Sequence, residues 1–332
     1  NGDKIVITPT NDGVQNVDDT DTENSFDVTV ISDSYDGTIT TVPGTLGIEP
    51  LDVTVTIVGK SESTTYDGQK HSVEGLETKT SSSELYPVTN VTPKTSTTEY
   101  AEGTDAGTYK MGLTDKSYNY TNDNGNFNVT LKVTDGELAI DPLDVEVTII
   151  GKKATYTYDG TEKSVEGYAK FESDSKLYNA EENVTLVSGA EAKATGIYAG
   201  EYPMGLTDES YEVKENNNFN VTLKVTDGSL KINQDETGIT VTSGSETWTY
   251  DGEKHTNHTY TVTYGDVNVE VTLNEASQTY EGTLPNGDKI VITPTNDGVQ
   301  NVDDTNTKNS FDVTVISDSY DGKITTVPGT LG

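Results

Sequence analysis

Internal repetition constrains this 332-residue chain more than any other feature of its sequence. Residues 1–47 return as residues 286–332 with three differences, at positions 21/306, 23/308 and 38/323, which gives a long period of 285 residues. A shorter period of 92 residues relates LDVTVTIVGK (51–60) to LDVEVTIIGK (143–152). Chains with fixed internal periods fold as arrays of similar small units, so we expect several thin cores and not one large core.

The two periods divide the chain into four predicted modules. The predicted boundaries are 1–50, 51–142, 143–235 and 236–332. Residues 1–50 are then only the C-terminal half of a module of the third type, and half a sheet leaves an open edge and an uncovered core face. If this segment is ordered, we expect strands from elsewhere to complete it, with a second chain in a head-to-tail fibre as the favoured source.

Alternation of apolar and polar side chains predicts strands throughout. Residues 51–57 and 127–133 both show the period of two that is typical of a sheet with one buried face. Asp135-Gly136 then separates two such stretches and predicts a hairpin turn. Helical spacing is absent, apart from a short turn that the sequence permits after Gly112 or Gly205. We therefore predict an all-β chain of tandem small β-sandwich (Ig-like) modules in an elongated rod, with β-grasp-like modules as the alternative.

A Tyr-Asp-Gly tripeptide recurs at the 92-residue spacing. Its copies are Tyr66, Asp67, Gly68; Tyr158, Asp159, Gly160; and Tyr250, Asp251, Gly252. Each copy lies between strand-like segments, and Asp-Gly accommodates the positive φ angles of a type I′ hairpin turn. We interpret the copies as structural turns. The residue five positions after the tyrosine is His71, Lys163 or His255, and a catalytic or metal-binding histidine would not be replaced by lysine.

Charge and composition limit the classes of partner. Acids outnumber bases 56 to 21, the net charge is −35, and every base is lysine. A phosphate backbone needs a basic stripe, so we expect neither nucleic-acid binding nor docking on an anionic membrane. No segment approaches the ~20 apolar residues of a membrane helix, so we expect no membrane insertion. The absence of cysteine means that no disulfide stabilises these modules.

Metal-binding patterns are weak. Asp19, Asp21 and Glu23 alternate as in a calcium loop, but the duplicated positions are Asp304, Asn306 and Lys308. An ammonium group in place of a ligand argues against a specific site, which leaves only loose calcium binding open. The three histidines, His71, His255 and His258, lack the spacing of a zinc site. We predict no cofactor and, without a nucleophile and base in a recognisable motif, no enzyme activity.

Two further patterns can be interpreted either as chemically functional or as purely structural. An isopeptide bond would join Lys60 to Asn128, and Lys152 to Asn220, but the third module has Gly244 at the lysine position. The paired tyrosines Tyr86 and Tyr178, 92 residues apart, are either sugar-stacking platforms or core residues, and the core interpretation is favoured.

The repeated motifs resemble a known family. The order T-Y-D-G, S-V-E-G, A-G-T-Y or A-G-E-Y, M-G-L-T and N-F-N-V-T-L-K-V-T-D-G is similar to the YDG/MBG-type tandem repeats of large bacterial, mostly Gram-positive, cell-surface adhesins. GTLPNGDKIVITPTNDGVQNVDD in the third module resembles the module that alternates with them, so the resemblance covers essentially the whole chain. Asp105-Ala106-Gly107-Thr108-Tyr109 also resembles an immunoglobulin tyrosine corner, although the second module has Tyr198 in place of Asp105.

The resemblance implies an extracellular protein of the bacterial cell surface or cell wall. Its repeats are expected to form a stalk or spacer that presents a distal binding region, with neighbouring repeats, and other copies head-to-tail, as partners. The alternative is that the repeats themselves bind host mucin glycans or host proteins through exposed tyrosines. Burial of the repeated tyrosines would favour the first function over the second.

Overall fold

The structure is a computed structural model that describes residues 2–332, and it confirms the all-β prediction. Residues 2–50 contain β1 (Lys4–Pro9), β2 (Thr22–Asn24), β3 (Phe26–Ile31) and β4 (Gly44–Leu46). Residues 51–142 contain β5 (Leu51–Gly59), β6 (Glu62–Thr65), β7 (His71–Glu74), β8 (Leu76–Ser81), β9 (Val91–Pro93), β10 (Tyr100–Gly103), β11 (Gly107–Lys110), β12 (Tyr118–Tyr120), β13 (Phe127–Thr134) and β14 (Glu137–Asp141).

The second half of the chain repeats this density of short strands. Residues 143–235 contain β15 (Leu143–Gly151), β16 (Lys153–Thr157), β17 (Lys163–Glu166), β18 (Tyr168–Ser173), β19 (Val184–Leu186), β20 (Lys193–Gly196), β21 (Gly200–Pro203), β22 (Tyr211–Val213), β23 (Phe219–Thr226) and β24 (Ser229–Asn233). Residues 236–332 contain β25 (Ile239–Ser243), β26 (Tyr260–Tyr264), β27 (Val267–Val269), β28 (Val271–Asn274), β29 (Thr279–Thr283), β30 (Lys289–Pro294), β31 (Thr307–Asn309), β32 (Phe311–Ile316), β33 (Ile324–Val327) and β34 (Gly329–Leu331).

Helical structure in residues 2–332 is confined to single turns. It consists of α1 (Ala180–Asn183) and the 3-10 turns Val17–Asp19, Val88–Asn90, Asp115–Ser117, Asp123–Gly125, Asp208–Ser210 and Val302–Asp304. The turns at Asp115 and Asp208 confirm the short helical turns expected after Gly112 and Gly205. No helix within residues 2–332 is long and apolar enough to span a membrane.

The chain divides into two compact units. The first comprises the residues up to Asp144 together with Asn216–Asn220, and the second comprises Val145–Glu215 and Val221–Gly332. The short segment around Asn218 belongs to the first unit because Asn218 is hydrogen-bonded to Asp105 and to the main chain of Ala106.

In the first unit, β5 is the central strand of a three-stranded sheet. It pairs in parallel with β13 and antiparallel with β8. Val53, Val55 and Ile57 are fully buried on one face of β5, which confirms the predicted alternation, and they pack with Tyr86 and Tyr118. A second sheet, in the order β11-β14-β6, has its own cluster around Leu138 and Ile140.

The predicted hairpin at Asp135-Gly136 is wrong. The strands on either side of this turn, β13 and β14, belong to different sheets, and β14 pairs in parallel with β6. The Asp135 carboxylate accepts the main-chain N–H groups of Gly112 and Leu113 at 3.1 and 2.8 Å. The turn therefore carries the chain from one sheet to the other, because the apolar faces before and after it enter two separate cores.

A pair of glycines allows two such crossings to lie side by side. The chain passes from β5 to β6 just after Gly59, next to the passage from β13 to β14 at Gly136. A Cβ atom on Gly136 would lie 2.5 Å from the carbonyl oxygen of Lys60 and 2.7 Å from the sulfur of Met111. Neither position has room for a side chain.

The second unit repeats this arrangement and adds a sandwich. Its sheets include β18-β15-β23 and β16-β24-β21, which match those of the first unit. Residues from 239 onward form two four-stranded sheets, β27-β26-β25-β33 and β28-β29-β30-β32. Ile239 and Val241 of one sheet share a core with Ile290, Ile292 and Phe311 of the other, so the two sheets pack face to face.

The first testable prediction concerns the glycine crossing. Gly136→Ala should destabilise the cooperative unit that contains β5 by about 1–3 kcal/mol, because the new methyl group overlaps main-chain atoms that cannot move independently. Calorimetry combined with hydrogen exchange at residues 51–59 measures this effect. The matched control is Gly44→Ala, where nothing lies within 4 Å of the added Cβ. An equal effect of both substitutions would contradict the role assigned to Gly136.

Candidate functional site

The first two Tyr-Asp-Gly loops connect strands of different sheets, whereas the third lies in the long connection between β25 and β26, which pair antiparallel in one sheet. Residues 66–70 lie between β6, which pairs with β14, and β7, which pairs with β10. Of the tripeptide, only the glycine has a positive φ, 77° at Gly68, whereas a type I′ turn needs two such residues. Asp67 accepts the N–H of Gln69 at 2.8 Å and thereby closes the turn with its side chain. The hairpin interpretation is therefore wrong for the first two copies, and the third copy lies within a long connection between antiparallel strands rather than in a two-residue type I′ turn.

The aspartate of each copy pairs with the side chain four residues later. Asp67 is 2.8 Å from His71 Nε2, and Asp159 is 2.6 Å from Lys163 Nζ. The third copy repeats the contact between Asp251 and its histidine at 3.0 Å. Histidine and lysine replace one another here because each donates to the same carboxylate, which is a structural role.

These contacts favour the ionised form of each aspartate. The hydrogen bond with His71 holds the pKa of Asp67 below its usual value, and the hydrogen bond with Lys163 does the same for Asp159. At Asp251 the main-chain N–H of Glu253 is the larger cause of a lowered pKa, followed by His255.

The tyrosine of each copy lies in a different environment. The Tyr66 ring packs edge-on against Phe219, with centroids 5.3 Å apart. Tyr158 is buried, and its hydroxyl donates to Asp288 Oδ1 at 2.9 Å. Tyr250 is 65% exposed. The first two tyrosines therefore contact the module that follows their own, and the third is the most exposed of the three.

A side-chain amide joins successive modules within the first unit. Asn126 Oδ1 accepts the N–H of Val17 at 2.8 Å, and its Nδ2 donates to Asn16 Oδ1 at 2.9 Å. This bidentate arrangement, which we call the amide clamp, satisfies a main-chain donor at the start of a 3-10 turn.

The same amide clamp occurs 92 residues later. Asn218 Oδ1 accepts the N–H of Ala106 at 2.6 Å, and its Nδ2 donates to Asp105 Oδ1 at 2.9 Å. Both clamps take one main-chain N–H and the side-chain oxygen of the residue before it. An asparagine thus makes the same two hydrogen bonds to two unrelated surfaces, one in a half-module and one in a complete module.

The second unit contains a simpler form of this contact. Ser319 Oγ accepts the N–H of Ala199 at 2.9 Å. The residue before Ala199 is Tyr198, which has no oxygen in the place of the Asp105 carboxylate, and a hydroxyl supplies one contact where an amide supplies two. Where tyrosine replaces aspartate before the main-chain donor, serine also replaces asparagine as the residue that binds it.

A buried polar network reinforces this junction. Asp288 accepts from Tyr158 and, at 3.0 Å, from Asn286 Nδ2, which also donates to Asp235 Oδ2 at 2.9 Å. Asp235 accepts a further short hydrogen bond from Tyr264. Both carboxylates are buried, so each depends on these donors for its solvation.

The pKa values reflect this network. Burial, helped by the contact with Asp288, raises the pKa of Tyr158 to about 12. Burial and the contact with Asp235 raise the pKa of Tyr264 to about 12. Burial would raise the pKa of Asp235, but the hydrogen bonds that it accepts outweigh this effect and hold it below its usual value.

A shallow groove of about 210 Å³ adjoins the third Tyr-Asp-Gly copy. The ring of Trp248 stacks on His255 with centroids 5.1 Å apart and planes at 10°. Tyr250, Asn301 and Val302 are among the other residues that line the groove. Aromatic faces beside amide groups are the chemistry that a small polar ligand such as a sugar would contact.

The rim of this groove has a duplicate elsewhere in the chain. Asn301 and Val302 correspond to Asn16 and Val17, which are held by the amide clamp in the first unit. Asn301 is exposed, and Val302 is 72% exposed. The same surface is therefore covered by a following module in one copy and open in the other.

The other residues singled out in the sequence have structural partners. Asp19 accepts the N–H groups of Gln15 and Asn16, which lowers its pKa, and Asp304 repeats these contacts. Asp21 adopts a positive φ of 65° in a turn. No group of three or more His, Asp or Glu side chains in residues 2–332 has the geometry to hold a metal ion.

The pairs proposed for isopeptide bonds are not brought together. Asn128 lies opposite Asp52 and donates to its carboxylate at 3.0 Å, whereas Lys60 pairs with Glu62 at 2.5 Å. The eight residues between Asp52 and Lys60 correspond to roughly 26 Å of strand. Asn220 likewise bonds to Asp144.

Tyr86 and Tyr178 are core residues, as the favoured interpretation predicted. Both side chains are buried, and the Tyr86 hydroxyl donates to the carbonyl of Thr121 at 2.7 Å. The tyrosine-corner resemblance also has a structural basis. The hydroxyls of Tyr109 and Tyr202 each donate to a main-chain carbonyl four residues upstream, at 2.9 and 3.0 Å. This contact does not use the Asp105 side chain, so Tyr198 can replace it.

Sequence reasoning missed the residues that make the junctions. In the sequence, Asn126 and Asn218 stand out only as the first residue of the repeated N-F-N-V-T motif, and Asp288 only as part of the 285-residue repeat. The available signal was an asparagine at the same position directly before the two long strands β13 and β23, in a segment with no apolar role of its own.

The second testable prediction concerns the buried network. Asp288→Ala should destabilise the third module by about 1–3 kcal/mol, because the Tyr158 hydroxyl and the Asn286 amide lose a buried acceptor. Denaturant unfolding followed by the fluorescence of Trp248, the single tryptophan of the chain, reports on this module.

The duplicate supplies the control for that experiment. Asp3 corresponds to Asp288 and is exposed, so Asp3→Ala should change stability by less than about 0.5 kcal/mol. Equal destabilisation by the two substitutions would contradict a specific contribution from the network.

Comparisons with known proteins found only distant similarity. A scan against protein-family models found no match, and a search of curated proteins found none either. Among solved structures, a SusE-like surface-located polysaccharide-binding protein from the Bacteroides thetaiotaomicron heparin utilisation locus is 11% identical with a TM-score of 0.14, over 98% of this chain and 54% of that one. The Bacillus anthracis TIE protein is 9% identical with a TM-score of 0.12, over 93% of this chain and 53% of that one. The chain thus spans about half the length of each, and neither similarity establishes a shared fold.

Proposed function

We propose that this chain is part of the stalk of a bacterial cell-surface adhesin or fibre, built from YDG/MBG-type repeats. In this function the repeats are extracellular, have no enzymatic activity, and hold a distal binding region away from the cell wall. The proposal rests on the motif resemblance and, above all, on the amide clamp.

The amide clamp supports a spacer because it fixes one module against the next at a defined residue. Each clamp combines an amide that accepts a main-chain N–H with an amide N–H that donates to a neighbouring side chain. Two hydrogen bonds from one planar group restrict rotation about the junction more than a single contact does. A stalk needs this restriction, since freely jointed modules would collapse into a coil.

The net charge of −35 also supports a spacer. Like charges distributed along a repeated chain repel one another, which favours extension and keeps the chain soluble. A spacer depends on both properties.

A second candidate function is glycan binding at the groove beside Trp248. The observation that favours it is the exposure of Tyr250, the one repeated tyrosine that no other module covers. Weighing against it, the rim residues Asn301 and Val302 match the surface that holds a following module in the first unit. A module docked there would share the rim with any ligand, so the stalk is the better supported function.

The third testable prediction distinguishes a stalk from a compact protein. Small-angle scattering of the chain should give a radius of gyration well above the roughly 20 Å of a compact 332-residue globule. The double substitution Asn126→Ala with Asn218→Ala should make the scattering curve more like that of a flexible chain, because both amide clamps are lost and the modules can rotate against one another. The control pair is Asn128→Ala with Asn220→Ala, which removes exposed asparagines two positions further along the strands. A compact wild-type chain would refute the stalk.

The fourth testable prediction addresses the second candidate. If the groove binds glycans, a panel of mucin glycans should show saturable binding that Tyr250→Ala weakens at least tenfold. Tyr100→Ala removes another exposed tyrosine, 46% accessible, that does not line the groove, and it should leave binding unchanged. Absence of saturable binding by the wild-type chain would exclude this function for the groove.

A further inference from the structure

Nearly identical sequences occupy two different environments in this chain. Residues 2–47 and 287–332 differ at three positions. In the later copy, Ile290 and Ile292 are fully buried, at 0% exposure. Their counterparts, Ile5 and Ile7, are 64% and 63% exposed. Since the sequence is the same, the difference arises from what covers it.

The covering segment in the later copy is residues 236–285. Ile239, Val241, Val262 and Leu284 of this segment form one core cluster with Ile290 and its neighbours. The face of β1 that carries Ile5 and Ile7 therefore has a partner segment in the same chain, namely residues 236–285, which cover the equivalent face of β30. We call the surface formed by Ile5, Ile7 and residues 39–42 the open face.

Strand content differs between the two copies in the same way. Ile-Thr-Thr-Val at 324–327 forms β33, which pairs in parallel with β25 from Ile239 to Thr242. The identical tetrapeptide at 39–42 forms no strand, and Val42 is 83% exposed. A strand that depends on an external partner for its hydrogen bonds does not form when that partner is absent.

Polar contacts add specificity to the apolar match. The buried Asn309 Nδ2 donates to the carbonyls of Gly244 and Asn257 at 3.0 and 2.8 Å, and Ser243 Oγ donates to the Asn309 carbonyl at 2.7 Å. The counterpart of Asn309 is Asn24, which is exposed. Asn24 thus offers the same side-chain amide for the two carbonyls and the same main-chain carbonyl for the serine hydroxyl.

We propose that the open face is a docking site for a second copy of the segment 236–285, which adds to residues 2–47 as β25 and β26 add to the later copy. Docking places Ile239 and Val241 of the added segment over Ile5 and Ile7, and it extends residues 39–42 as a strand alongside the added 239–242. The occupant is defined by the duplicate, and the proposal does not depend on the stalk function.

The experiment adds residues 236–285, carried on a soluble fusion partner, to the full 332-residue chain. Hydrogen exchange at residues 4–9 and 39–42 is compared with exchange at 289–294 and 324–327 of the same molecule. We expect saturable binding of one segment per chain, with protection at 39–42 that rises at least tenfold, towards the level of its counterpart. Unchanged exchange at 39–42 in the presence of excess segment would overturn the proposal.

Variants of the chain test the specificity of docking. Ile5→Asp with Ile7→Asp should reduce binding at least tenfold without destabilising the chain alone, because both side chains are already exposed. The matched control is Ile31→Asp. Ile31 is 57% exposed and its counterpart Ile316 stays 59% exposed in the complete module, so docking does not use this position. Equal loss of binding in the control would contradict the proposed geometry.

A covalent version separates recognition of the segment by the open face from capture of a separate segment. Residues 236–285 are joined directly before Asn1, which reproduces the connection from Pro285 to Asn286. Protection of 39–42 both in this fusion and with the added segment supports docking. Protection in the fusion alone shows that the open face does not capture a separate segment, and protection in neither shows that it does not recognise the segment at all; either result overturns the proposal.

Discussion

The first long strand of each 92-residue repeat is the central strand on which the rest of the repeat packs. β5 carries three fully buried side chains, pairs in parallel with β13 on one side and antiparallel with β8 on the other, and then continues into the second sheet as β6. Only 31% of residues in the chain are apolar, so no module can compensate for a poorly packed central strand with a larger core. The glycine crossing at Gly59 and Gly136 follows from this constraint, because two strands must change sheets at the same place without opening a gap between them.

The fold class and the strand positions were predictable from sequence, but the strand pairing was not. Alternation along residues 51–57 correctly identified Val53, Val55 and Ile57 as core residues. The Asp-Gly pairs were misleading, because a local turn signal specifies a change of direction and not the strand that lies alongside. Pairing of β13 with β5 brings together residues 76 positions apart in the chain, a contact that no short window of sequence contains.

The candidate site likewise has features that the sequence reveals and features that it does not. The exchange of His71 for Lys163 was visible in the sequence, and the structure shows that both side chains contact the aspartate four residues earlier. What the pattern could not show is that Tyr66 and Tyr158 contact the following module, since the relevant neighbours, Phe219 and Asp288, are distant in sequence. Residues 39–42 show most clearly that sequence alone does not decide secondary structure here, because they form no strand whereas the identical tetrapeptide at 324–327 does. Its state is set by a partner and not by its own composition.

The amide clamp has a consequence for how such chains change over generations. The group that Asn126 and Asn218 recognise is first of all a main-chain N–H, which every residue except proline possesses. A module that carries this asparagine can therefore follow a neighbour of a different type, as the 51–142 module follows a half-module and the 143–235 module follows one of its own kind. Duplication or deletion of modules that carry this asparagine preserves the main-chain hydrogen bond of each joint, so the length of the array can vary while the surfaces of individual modules diverge.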